Sequence, residues 1–129
     1  MRNKIEEHKI TFSILFDLTD QEIIADNKQI EQVLINLVLN SVGAVRTTPI
    51  PSITMQAISL NDSVIIKIND NGSGIPADIL DKIFIPFYTT KEEGSGIGLS
   101  LSRQMLLLHG SSITISSVEG KGSEFILSF

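Results

Sequence analysis

The chain has 129 residues, 42% of them apolar and 19% charged, a size and composition suited to one compact domain with its own core. Without cysteine it holds neither a disulfide nor a thiolate metal site, and its apolar runs fall well short of the roughly 18 residues a spanning helix needs. Ten Lys and Arg against fifteen Asp and Glu give a net charge of −5, which argues against nucleic acid and anionic membrane as partners and obliges any anionic ligand to find a local pocket.

Met1-Arg2-Asn3-Lys4 leads into Glu6-Glu7 rather than an apolar signal core, so the segment is expected to be cytoplasmic, whether or not a longer parent is anchored in a membrane. From His8 to Phe16 the residues alternate, with Ile10, Phe12, Ile14 and Phe16 on one face, which predicts a half-buried strand. Glu22-Ile23-Ile24-Ala25 is a shorter strand candidate, and Asp26 can cap the helix that follows. Apolar residues then recur at Ile30, Val33, Leu34, Leu37, Val38, Val42 and Val45, the spacing of a long amphipathic helix ending near Arg46. Residues 32–66 carry only Arg46 and Asp62 as charges, so this third of the chain is expected to be mostly interior. Ser52 to Leu60 and Ser63 to Asn69 are rich in β-branched residues and flank Asn61-Asp62, the pattern of a hairpin.

After Asn69 the chain turns to Asp70-Asn71-Gly72-Ser73-Gly74-Ile75-Pro76, a loop, with Pro76 suited to the first turn of a short helix through about Ile83. Phe84-Ile85-Pro86-Phe87-Tyr88-Thr89-Thr90-Lys91 runs into a second glycine cluster, and Ile97, Leu101, Met105 and Leu108 mark a second long helix stopped at His109-Gly110. Ser112 to Ser117 and Glu124 to Phe129 alternate as strands around the turn Glu119-Gly120-Lys121-Gly122. The sum is an α/β sandwich of two layers: one mixed sheet with about three helices on one face, in one domain spanning residues 1–129.

Three constellations carry chemistry. Asn36 and Asn40 stand one turn apart on the long helix, on one arc with Gly43, so two amides point the same way as either a solvated pair or a ligand-facing one. Asp70 stands at a strand end, beside glycines that let a ligand approach the backbone closely. Gly94, Gly96 and Gly98 precede a helix, where free amides and the positive helix end favour phosphate. A dinucleotide fingerprint needs glycine where Leu99 stands, and Gly120-Lys121-Gly122 lacks the hydroxyl residue of a P-loop, so both are set aside.

Taken in order, these segments resemble the ATP-binding catalytic domain of sensor histidine kinases, part of the GHKL group that includes gyrase, heat-shock chaperones and mismatch-repair ATPases. Gln32-Val33-Leu34-Ile35-Asn36-Leu37-Val38-Leu39-Asn40-Ser41 resembles the N box and Asp70 to Pro76 the first glycine box. Phe84 to Lys91 resembles the F box, and Gly94-Ser95-Gly96-Ile97-Gly98-Leu99-Ser100 the second glycine box. The resemblance covers nearly the whole chain and implies the Bergerat ATP-binding fold.

It also implies roles. Asp70 accepts the adenine amine, directly and through a water shared with Ser123, and so rejects guanine. Asn40 gives its amide oxygen to Mg2+, a hard ion, while Asn36 helps order the phosphates. Lys91 and the amides of Gly94, Gly96 and Gly98 close over the triphosphate as a short lid. Asn36 and Lys91 are the catalytic candidates, and Gly43, Gly72, Gly74, Ile75, Phe87, Thr90, Ser95, Ile97 and Leu99 complete the ATP-binding set. Departures from the family pattern inform too. Gly43 replaces a cation that some members carry, which puts more weight on Lys91. Ser41 and Ser123 stand where Ala and Thr are usual, and Ile85 replaces a common Glu.

Where gyrase-like and chaperone ATPases and the anti-sigma serine kinases carry a Glu, this chain has Asn36, and an amide takes no proton from a nucleophile. The expected chemistry is therefore slow hydrolysis and γ-phosphate transfer to an imidazole, which is already nucleophilic. Neither His8, in an alternating strand, nor His109, at a helix end, sits in a phosphoacceptor pattern. The resemblance thus implies an acceptor histidine on a separate dimerisation domain of the same receptor, a response regulator downstream, and a monomeric isolated domain. A nucleotide-binding switch without phosphotransfer and a GHKL serine kinase are the alternatives.

Overall fold

A computed structural model of the chain describes residue 5 and residues 9–17, 27–61, 63–86 and 98–129. In chain order the elements are β1 (Thr11–Asp17), α1 (Asn27–Ala44), β2 (Ser52–Leu60), β3 (Ser63–Asp70), a 3-10 turn (Leu80–Lys82), α2 (Gly98–Leu108), β4 (Ser112–Val118) and β5 (Gly122–Ser128). The strands form one five-stranded sheet in the order β1-β2-β3-β5-β4. β1 pairs with β2 in parallel, a pairing that needs the crossover α1 supplies, and the other neighbours are antiparallel. The expected shorter strand at residues 22–25 and the cap at Asp26 lie outside the described residues.

Register sorts the sheet into lateral rows on its helix-facing side. Ala57, Ile66, Leu127 and Ile113 form one row, and Met55, Ile68, Phe125 and Ile115 the next. Against these rows α1 buries Val33, Leu37, Val38 and Val42, with Val45 just past its end, and α2 buries Leu106. Full burial of such a side chain stabilises by about 1.5–3 kcal/mol, so this α1 face anchors the two layers. The third row is Ile53, Asp70, Ser123 and Ser117. It turns from apolar to polar at the end of the sheet where the chemistry-bearing loop begins.

The punctuation residues take the conformations their chemistry favours. Asn61 turns the β2–β3 hairpin at φ +56°. Gly110 ends α2 at φ +71°, with Ser111 N–H donating to Leu106 O at 2.8 Å and Gly110 N–H to Leu107 O at 3.1 Å, the bonding of a Schellman cap. His109 donates from Nδ1 to the Met105 carbonyl at 2.7 Å, which fits a helix-terminal structural role.

One helical expectation is trimmed. Beside α1 and α2, the expected short helix from Pro76 to Ile83 is reduced to turns and one 3-10 segment, Leu80–Lys82. Its bonds span three residues, from Ile79 N–H to Pro76 O, Lys82 N–H to Ile79 O and Ile85 N–H to Lys82 O. A run so short between Pro76 and Pro86 gains too few four-residue bonds to offset helix nucleation. Beyond it, the Arg103 guanidinium lies 5.4 Å from the Phe84 ring centroid and ties this segment to α2. No helix among the described residues is long and apolar enough to cross a membrane.

Candidate functional site

The last polar row meets the C-terminal end of α1. Asp70 is 3% exposed and accepts a hydrogen bond from Gly72 N–H at Oδ1, 2.9 Å away. A buried carboxylate is costly unless backbone donors face it, and the tight turn after β3 supplies this one. That turn docks on the helix: Ser73 N–H donates to Ala44 O at 3.0 Å, which satisfies a helix-end carbonyl. Asn71 pins the other side, donating from Nδ2 to Ile50 O and accepting from Ser52 N–H, both at 2.8 Å.

Glycine is required here by space. A Cβ on Gly72 would overlap the Ala44 carbonyl and come within 2.9 Å of Asp70 Oδ1. Gly74, at φ +70°, packs against the Val118 carbonyl, whose carbon would stand only 2.8 Å from any Cβ added there. Gly122, at φ +128°, lies directly against the Asp70 backbone carbonyl. Two loops and the end of α1 therefore close around Asp70 with no room for side chains at these glycines.

Ser117 is the hub that sequence reasoning missed. Its Oγ accepts from Ile75 N–H at 2.7 Å, donates to Gly122 O at 3.0 Å and lies 2.8 Å from Ser123 Oγ. It thereby ties the glycine loop to the β4–β5 hairpin and fixes Ser123, the cross-strand neighbour of Asp70. The signal was present in the strand itself: Ile113 and Ile115 face the core, and Ser117 breaks that apolar alternation.

The amide pair lies further back along the same helix. Asn40 and Asn36 precede Ala44 by one and two turns, about 6 and 12 Å along the axis. Both are half-buried. Asn36 accepts from Gln32 Nε2 at 3.0 Å and donates from Nδ2 to Ser102 Oγ at 3.4 Å. Ser102 is fully buried on α2, so Asn36 bridges the two helices, a contact the helical spacing alone does not reveal. Gly43, half-buried, lies on the last turn of α1, and Leu99 packs against the core at the start of α2, one residue after Gly98.

The structure thus brings Asp70, Gly72, Gly74, Ile75 and Ser123 together at the end of α1, with Asn40 and Asn36 further along that helix. Phe87, Thr90, Lys91, Gly94, Ser95, Gly96 and Ile97 lie outside the described residues.

Residues 25–129 match the family described as Histidine kinase-, DNA gyrase B-, and HSP90-like ATPase. The chain belongs to this family. Within this ATPase family its relatives are sensor histidine kinases: it is 44% identical over 106 residues to sensor histidine kinase ZraS of Escherichia coli K12, covering 82% of this chain and 22% of that protein. The catalytic domain of histidine kinase ThkA superposes with a TM-score of 0.85 at 33% identity, covering 99% of this chain and 83% of that one. The structure of ThkA in complex with the response regulator protein TrrA matches with a TM-score of 0.81 at 30% identity, over 99% of this chain and 36% of that one. The chain spans about a fifth of the curated relative's length. The fold of this ATPase-family member is that of the histidine-kinase catalytic domain.

Proposed function

We propose that the domain binds Mg-ATP and presents the γ-phosphate to a histidine on a separate dimerisation and phosphoacceptor domain of its parent receptor. The observation that carries this reading is Asp70: a buried carboxylate at a strand end, beside a loop whose glycines pack against the end of α1 and the β4–β5 hairpin. Asp70 accepts the exocyclic amine of adenine, and Gly72, Gly74 and Ile75 wall the base. Gly43 and Leu99 complete the contacts the described residues offer.

Asn40 has the chemistry for magnesium, a neutral amide oxygen that suits a hard ion whose remaining ligands are phosphate and water. When bound, magnesium neutralises phosphate charge. Asn36 orders the phosphates from its bridge to Ser102. Lys91 and the amides of Gly94, Ser95, Gly96, Ile97 and Gly98 hold the triphosphate and offset the negative charge of the rest of the chain, and Phe87 and Thr90 belong to the same ATP-binding set. Catalysis is positioning and charge stabilisation, because Asn36 is no base and the imidazole nucleophile needs none.

The acceptor is a histidine beyond these 129 residues, since neither His8 nor His109 sits in a phosphoacceptor pattern. A response regulator is the downstream partner, the isolated domain is monomeric, and the need for ATP places it in the cytoplasm. Incubation with radiolabelled ATP tests the reading: the chain alone should leave no stable phosphohistidine, and adding its cognate helical domain should yield acid-labile label on that domain. Label on His8 or His109, or none on the helical domain, would overturn it.

A further inference from the structure

Ser102 stands one turn into α2, about 6 Å of helix rise after Gly98, and is fully buried. Leu106, the next turn on the same stripe, is buried in the core, so the Ser102 hydroxyl interrupts an apolar face. A buried hydroxyl is costly unless it is hydrogen-bonded, and an alanine there would pack without that cost. What Ser102 meets across the helix contact is polar: Asn36 Nδ2 of α1 donates to its Oγ at 3.4 Å.

That contact bears on what Asn36 can offer a ligand. Gln32, one turn back on α1, donates from Nε2 to Asn36 Oδ1 at 3.0 Å. The amide is therefore held from two sides, its oxygen engaged along α1 and one of its two N–H bonds engaged by α2. The second N–H is left for a group that accepts. A phosphate oxygen accepts, whereas a metal ion needs a lone pair, so the two amides divide the work: Asn40 suits magnesium and Asn36 suits phosphate. Their order along α1 agrees. With the base at Asp70, whose loop docks on Ala44, Asn40 lies one turn and Asn36 two turns from that end, about 6 and 12 Å. Asn36 thus serves the end of the phosphate chain farthest from the base.

We infer that Ser102 is a positioning residue for the terminal phosphate: its buried hydroxyl aims the Asn36 amide so that the second N–H meets the γ-phosphate, and the domain thereby tells a nucleoside triphosphate from a diphosphate. Without that hydroxyl the amide regains rotamer freedom, which binding must then remove. Because Ser102 stands one turn from the N-terminus of α2, it also keeps the amide in register with the helix that follows the second glycine cluster. This role rests on the nucleotide reading and adds a specificity determinant to it.

Calorimetric titration with Mg-ADP and with the magnesium complex of the β,γ-imido analogue of ATP, which resists hydrolysis, tests it in wild type, Ser102→Ala, Asn36→Ala and the double variant. Ser102→Ala should weaken the triphosphate analogue about three- to tenfold and leave ADP within about twofold. In the Asn36→Ala background the same substitution should change neither affinity, because no amide is left to aim. Ser102→Thr and Ser102→Val, alike in shape and differing by the hydroxyl, guard against a packing defect in the alanine variant. With Tm recorded for each, the triphosphate analogue should bind the Thr variant more tightly than the Val variant by about the same factor. Equal losses with both nucleotides, an undiminished loss in the Asn36→Ala background, or equal binding by the Thr and Val variants would overturn the role of Ser102 while leaving ATP binding in place. A wild-type domain that bound neither nucleotide would overturn the nucleotide reading and this one with it.

Discussion

Replacing Asp70 by Asn isolates the group on which base recognition depends. The side chain keeps its shape, and the retained Oδ1 still accepts the Gly72 N–H now held at 2.9 Å, so the turn that docks on Ala44 stays closed. The other carboxylate oxygen becomes an NH2 donor. At 3% exposure that donor has no solvent to turn to, and toward the adenine amine it sets donor against donor. A hydrogen bond to a charged group contributes about 1.5–3 kcal/mol, so at about 1.4 kcal/mol per decade ADP should bind roughly 10- to 150-fold more weakly. Guanine carries a carbonyl in place of the amine and meets the new donor favourably, so the ratio of GDP to ADP affinity should rise. Calorimetric titration with both nucleotides, on protein whose Tm shows it folded, reads both effects. A folded Asp70→Asn variant with ADP affinity within about twofold of wild type would refute the adenine role of this carboxylate.

Substitution of Asn40 by Ala should chiefly remove the magnesium dependence of nucleotide binding; full dependence in that variant, measured by titration with and without MgCl2, would move the metal site elsewhere. The glycines predict a graded stability series in urea unfolding. Gly110→Ala, with open space around its Cβ, should lose only the strain of φ +71°, about 1–2 kcal/mol. Gly122→Ala adds overlap with the Asp70 carbonyl, a further 1–3 kcal/mol or so, and should also weaken nucleotide binding. Equal losses at the two positions would show that the Gly122 contact is not a constraint.

Much of the architecture is legible locally. Alternation marks β1, β4 and β5, β-branched runs flanking Asn61-Asp62 mark β2 and β3, and the 3.6-residue spacing from Ile30 to Val45 marks α1 to within two residues of its observed end at Ala44. The Asn36/Asn40 arc, the strand-end Asp70 and the glycines of its loop are legible for the same reason: each is a statement about neighbours in sequence. The short helix after Pro76 is the local expectation that the structure trims, because periodicity there is too brief to outweigh the two prolines.

What the sequence determined by itself is therefore the identity and spacing of the chemical groups, since side-chain direction in a helix or strand follows from residue number. Tertiary structure alone decided which groups meet. The order β1-β2-β3-β5-β4 places Ser123 and Ser117 in the same row as Asp70, although dozens of residues separate them. It also brings Ser102 to Asn36, sets the hydroxyls of Ser117 and Ser123 2.8 Å apart, and leaves the hydroxyl of Ser41 buried without a partner among the described residues. Strand pairing and helix docking are long-range choices that minimise exposed apolar area over the whole chain, and no window of neighbouring residues encodes them.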